Sequence, residues 1–172
     1  MIAIAIVCEP ELIIADEPTT ALDVTIQEQI LALISELVLE RNMALILITH
    51  DLGVVAENTD QMLVMYAGRI VERGPTQKVF RHLAHPYTRG LFASIPDSEK
   101  SLNEPSQQLE YSRKKRLSTI PGRVPEFWER SKGCSFADRC SRTQGKCSSM
   151  LPDEIQFDTG HYTTCFFPYE QN

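Results

Sequence analysis

Leu12-Ile13-Ile14-Ala15-Asp16-Glu17-Pro18 sets two adjacent carboxylates at the end of a short apolar run, and Thr19-Thr20-Ala21-Leu22-Asp23 follows at once. A second apolar run, Ala44-Leu45-Ile46-Leu47-Ile48-Thr49, leads to His50 and Asp51. Aliphatic runs bounded by polar residues predict strands buried on both faces, the kind that parallel sheets contain. Between them Thr25-x-x-Glu28 predicts a capping box. Ile26, Ile30, Leu33, Ile34, Leu37 and Val38 then recur at helical spacing, with a stop near Asn42. Strand, helix and strand make a βαβ unit, so the fold class is α/β with a parallel sheet.

Ligands of open α/β sheets bind beyond the carboxyl ends of the strands. Asp16, Glu17 and His50 all fall at such ends and can converge on one ligand. Phosphoryl transfer needs an acidic residue to hold Mg²⁺, directly or through water, and a group to orient or deprotonate the attacking water. Asp16, nearest the strand, suits the metal. Glu17, one residue further out, suits the water, and His50 can donate to a γ-phosphate. A lone acidic pair after a strand is as easily a wet loop. The ordered set favours chemistry, because Pro-Thr-Thr-Ala-Leu-Asp follows the pair and a second strand ends in Thr-His-Asp.

Residues 1–95 resemble the second half of an ABC transporter ATP-binding subunit. Leu12 to Glu17 looks like its Walker B segment, Thr20-Ala21-Leu22-Asp23 its D-loop, and His50 its switch histidine. The resemblance implies a partial P-loop NTPase domain in which Asp16 supports Mg²⁺ through water, Glu17 is the catalytic base and His50 contacts the γ-phosphate of ATP. It also implies that Asp23 communicates across a dimer of two such subunits. No Gly-x-x-x-x-Gly-Lys-Ser/Thr occurs to cradle the triphosphate. The family's glutamine loop and Leu-Ser-Gly-Gly signature are expected to precede Met1, and Met1 to Val7 looks like the tail of the helix after that signature. The expectation is the C-terminal portion of a longer protein, binding ATP poorly or not at all by itself.

For 172 residues, one domain plus a small appendage is the natural count. A 42% hydrophobic content suffices for a core, and no segment approaches the ~20 apolar residues of a membrane span. Met1 to Cys8 is short, has no basic leader and runs into Glu9 and Glu11, unlike a signal peptide. The chain is expected at the cytoplasmic face of the inner membrane, held there by partner proteins. The net charge of −6 is uneven: residues 1–100 carry fourteen acidic and seven basic side chains, and the other ten Lys and Arg lie between Arg113 and Lys146. Arg113-Lys114-Lys115-Arg116 could touch nucleic acid or anionic lipid. Without an aromatic stacking platform it reads as a solvated linker, so no direct nucleic-acid contact is expected.

Asp51 to Asn58 predicts a short helix. Met62 to Tyr66 and Arg69 to Glu72 flank Ala67-Gly68 as a β-hairpin. Val79, Phe80 and Leu83 line one helix, Leu91, Phe92 and Ile95 another, with His85-Pro86 breaking between them. Polar residues 96–118 read as a linker. Residues 119–172 form a small irregular module whose core needs a staple.

That staple falls on Cys134, Cys140, Cys147 and Cys165, separated by five, six and seventeen residues. Clustered cysteines in such an appendage favour metal ligation over disulfides. Zinc ribbons show paired Cys-x-x-Cys knuckles and none is present; Fe–S clusters also take four thiolates at more varied spacing. Spacing alone leaves Zn²⁺ and iron–sulfur open. Arg130, Lys132, Arg139, Arg142 and Lys146 can offset a cluster's negative charge. His161 is a conceivable substitute ligand, although a solvent-facing role is the simpler expectation. Cys8, outside the group, reads as a buried small residue.

His85 to Leu91, Ile120-Pro121-Gly122-x-x-Pro125 and Gly133-Cys134-Ser135-Phe136-x-x-Arg139-Cys140 look like the C-terminal extension of oligopeptide/dipeptide-type importer ATPases. In that family the cysteines are associated with a [4Fe–4S] cluster. The resemblance implies an ATP-hydrolysing subunit energising import of peptides (or nickel). Its partners are a second ATPase subunit, transmembrane permease subunits and an extracytoplasmic peptide-binding protein. Two other classes stay open at this point: a non-transport ABC ATPase acting on nucleic acid, and a stand-alone Fe–S or zinc module without ATPase activity.

Overall fold

The computed structural model describes residues 2–95, 119–129 and 132–170. The expected linker, its basic run and Arg130 lie outside them. The chain forms two compact units, Met1–Asp60 and Gln61–Asn172.

In the first unit, α1 (Ile2–Ile6) precedes β1 (Leu12–Asp16), α2 (Val24–Arg41), β2 (Ala44–Ile48) and α3 (Leu52–Asn58). β1 and β2 pair in parallel, Leu12 opposite Ala44 and Asp16 opposite Ile48. The Glu17 N–H donates to the Ile48 carbonyl at 2.9 Å and carries the pairing one residue further. The cap of α2 is Asp23, whose Oδ1 accepts the Ile26 N–H at 3.0 Å. The expected Thr25 box therefore starts two residues late: Asp23 has the extended backbone of a cap, and Thr25 is already helical. α2 stops where expected. Asn42 enters the left-handed region (φ 50°), an excursion its short polar side chain tolerates. The strands depart from expectation too. Leu12, Ile14, Ile46 and Ile48 are exposed, and only the alternate residues are half-buried. Leu31, Ile34 and Val54 are the buried apolar residues of this unit, so cover comes from one side of the sheet alone.

The second unit opens with the expected hairpin, β3 (Gln61–Tyr66) and β4 (Arg69–Pro75). Ala67 (φ 46°) and Gly68 (φ 74°) close it, both with the positive φ that matches a two-residue turn to strand twist. Met62, Val64 and Tyr66 face inward. α4 (Thr76–Arg81) and α5 (Pro86–Ala93) follow, with Pro86 in the first turn of α5, where a missing N–H costs nothing. Two short 3₁₀ helices, Phe127–Glu129 and Ala137–Arg139, lead to α6 (Gly145–Ser149), β5 (Ile155–Asp158) and β6 (His161–Thr163). The sheet order is β3-β4-β6-β5, antiparallel throughout. Strands from residues 61–75 and 155–163 thus share one sheet. Close approach makes this possible: a Cβ on Gly74 would lie 3.0 Å from the Gly160 carbonyl oxygen and from His161 Cα. No helix of the described residues is long and apolar enough to cross a membrane.

Candidate functional sites

At the carboxyl ends of β1 and β2, Glu17 has φ 48°, a left-handed conformation uncommon for a non-glycine residue and further disfavoured before Pro18. Such strain persists where surrounding bonds over-determine it. Here the Glu17 N–H is held by Ile48, Thr20 Oγ1–H donates to Oε2 at 2.6 Å, and His50 Nδ1–H donates to Oε1 at 2.8 Å. Thr20 and then His50 hold the Glu17 carboxyl below its ordinary range, while Glu17 raises the imidazole of His50. His50 is mostly exposed, so its Nε2 is left for a ligand. Asp51 caps α3 through the Gly53 and Val54 N–H groups, which anchors the loop that carries His50. Asp16 is exposed at the end of β1. The structure thus brings Glu17 and His50 into contact and sets Asp16 beside them in sequence. Asp23 caps α2 in the same unit. Thr20 stood in the sequence only as part of a loop motif; its bond to Glu17 depends on the turn made by positive-φ Glu17 and Ala21.

The second site lies within residues 61–170. Cys134 follows Gly133, where a Cβ would sit only 2.2 Å from the Cys147 carbonyl oxygen, so only glycine fits. The Cys134 N–H donates to that same carbonyl at 2.8 Å, which brings the turn onto α6. Cys134, Cys140, Cys147 and Cys165 line one small cavity together with His85 and Arg142. Burial raises the thiols of Cys134 and Cys140, and that of Cys165 to about 11. Backbone N–H groups of Arg142 and Phe167 point at Cys140 Sγ and Cys165 Sγ, each at 3.4 Å. Among the described residues, no three His, Cys, Asp or Glu stand where they could share a single metal ion.

Tyr66, Tyr87 and Phe136 pack against one another, with ring centroids 4.7–5.4 Å apart. Arg139 joins this wall to the incoming chain, donating to the Pro121 and Ile120 carbonyls and to the Tyr66 hydroxyl. Beneath lies Glu72, fully buried. Its Oε1 accepts the Ala84 N–H and His161 Nε2–H, both at 2.8 Å, and its Oε2 accepts the His85 N–H at 2.9 Å. His161 is therefore neither solvent-facing nor part of the cysteine cavity. Cys8, expected to be buried, is exposed just past α1, which itself buries none of its residues.

The chain has relatives among known proteins. Residues 71–147 match the family described as "oligopeptide/dipeptide transporter, C-terminal region". A probable peptide ABC transporter ATP-binding protein of Sinorhizobium fredii is 48% identical over 166 residues, 96% of this chain and 46% of the relative. A putative peptide import ATP-binding protein of Brucella ovis is 47% identical over 164 residues, 95% of this chain and 47% of its own. Another, of Brucella abortus, is 49% identical over 160 residues, 93% and 44% respectively. Along nearly its whole length the chain is similar to ATP-binding proteins of peptide ABC transporters. It spans about half the length of the curated relatives it matches. Within the peptide-transporter match, residues 71–147 include Glu72, His85 and three of the four cysteines; Cys165 lies beyond it.

Proposed function

We propose that this chain carries the hydrolytic residues of an ATP-binding subunit that energises peptide import, with ATP and Mg²⁺ as its nucleotide and metal. The observation behind the proposal is the clamp on Glu17. A carboxylate is held ionised at a strand end by Thr20 and His50, in a protein whose relatives are named as peptide import ATP-binding proteins. Glu17 accepts a proton from the attacking water as general base. His50, bonded to Glu17 through Nδ1, presents Nε2–H to the γ-phosphate. Asp16 holds Mg²⁺ through water. Asp23, besides capping α2, faces a second ATPase subunit across the dimer. In the organisation this reading implies, residues 1–95 are the C-terminal half of the ATPase domain, 96–118 a linker and 119–172 the cysteine-bearing extension. Permease subunits and an extracytoplasmic peptide-binding protein complete the importer, and they seat this subunit on the cytoplasmic face of the inner membrane.

We assign the four cysteines to a [4Fe–4S] cluster, with Zn²⁺ as the alternative. The donor set is four thiols around one cavity, with backbone N–H groups aimed at two sulfurs. A single Zn²⁺ at bonds of about 2.3 Å needs its sulfurs within about 4 Å of one another. A cluster of several irons spreads its thiolates wider and supplies redox-capable, structure-stapling chemistry. Arg142, at the cavity, offsets its negative charge.

The deciding experiment is Glu17→Gln in the full-length subunit, assayed for both ATP binding and phosphate release. Binding retained with turnover lost is expected; unchanged hydrolysis removes Glu17 from the base role.

A further inference from the structure

His85 is 1% exposed, caps α5 and lines the cavity of the four cysteines. The Tyr87 N–H donates to its Nδ1 at 3.0 Å, so Nδ1 is the acceptor nitrogen and the ring proton sits on Nε2. Among the described residues, that Nε2 is buried and has no hydrogen-bond partner. Phe136 packs against the ring at 6.0 Å between centroids. Glu72 fixes the backbone beneath it by accepting the His85 N–H. The ring is therefore locked in tautomer and position, and it carries one unspent donor. Buried donors find acceptors, and the acceptor chemistry concentrated in this cavity is sulfur.

We propose that His85 donates a hydrogen bond from Nε2–H to a sulfur of the cluster held by Cys134, Cys140, Cys147 and Cys165, and so acts as a positioning residue that tunes its reduction potential. The inference rests on the cluster reading above. Hydrogen bonds to cluster sulfurs stabilise the more negative, reduced state and raise the potential. The bond here comes from a residue that no cysteine spacing reveals. The Glu72 carboxylate, by holding the backbone of His85, ties that donor to β4.

The test uses the full chain purified anaerobically, as wild type, His85→Phe and His85→Gln. Iron and acid-labile sulfide are measured first, then the potential by a redox titration followed in electron paramagnetic resonance. All three proteins are expected to hold iron and sulfide. His85→Phe is expected to be harder to reduce by about tenfold, or about 59 mV for a one-electron couple. His85→Gln, which keeps an N–H donor, should stay near wild type. Loss of the cluster in His85→Phe with retention in His85→Gln supports the same bond. A wild-type potential in His85→Phe, a Gln variant as shifted as Phe, or loss of the cluster in both overturns it while leaving the cluster standing. Wild-type protein without iron and sulfide overturns the cluster reading itself, and this inference with it.

Discussion

The strand-end site around Glu17 and the cavity around the four cysteines are built on opposite physical plans. The first is open: His50 is 82% exposed, its bonds are short but wet, and its strain sits in one residue at φ 48°. The second is walled by aromatic rings, and among the described residues its buried polar side chains are paired, apart from single nitrogens on His85 and His161 and the Thr88 hydroxyl. Water screens charges at the first and not at the second. Substitutions at the strand end should therefore change chemistry while leaving the fold intact. Those beneath the cavity should change folding first.

The largest effect expected is at the open site. Removing a general base costs about 10²–10⁴-fold in rate, so phosphate release by the full-length Glu17→Gln subunit should fall in that range without a change in melting temperature. A parallel drop in stability would break the contrast. Next is Glu72→Gln, which leaves three buried donors facing a weaker, half-donating amide. Weakening the hydrogen bonds of buried donors costs about 1–3 kcal/mol, and denaturant unfolding of residues 61–172 followed by Tyr fluorescence should register a loss of that order. Cys140→Ser should lose iron and lower the melting point of the same unit; full iron retention would remove Cys140 as a ligand.

Smaller still is Asp23→Ala. Losing a helix cap costs about 1 kcal/mol, and circular dichroism melts should show a shift of that size. Dimer-dependent ATPase activity would fall further than this if Asp23 also faces a partner.

The finest distinction is a titration. Glu17 raises the imidazole of His50, so the pairing favours the folded state below the ordinary histidine pKa and fades as pH rises through the raised folded value. Glu17, held low by Thr20 and His50, favours folding above the ordinary glutamate pKa and loses that contribution as pH falls through its lowered value. With both groups exposed, the stability change is small. The ¹H–¹⁵N NMR titration of His50 should nonetheless move to lower pH in Glu17→Gln, and an unmoved curve would dissolve the pair.

Much of this was legible from local pattern. The two apolar runs, the helix between them, the Ala67-Gly68 turn and the Pro86 start of α5 are readable because each rests on neighbours within a few residues. Asp16, Glu17, His50 and the four cysteines stand out for their residue types and order. Errors came where cover decides the outcome. Periodicity cannot say that Ile14 and Ile46 are exposed, that Cys8 lies open or that His161 is fully enclosed. Even the cap of α2 turned on whether Asp23 or Thr25 takes the extended backbone, which a motif does not specify.

Sequence by itself determined the α/β class, the ordered acidic and histidine motif and a four-thiol group, because those depend on composition and short-range spacing. Only the tertiary structure decided that Thr20 and His50 clamp Glu17, that β4 and β6 share a sheet, and that Glu72 holds His85 beside the cysteines. Such contacts join residues as far as 94 positions apart, as Thr164 to Ile70 shows. They exist because buried polar groups must find partners, and the nearest partner in space is seldom the nearest in the chain.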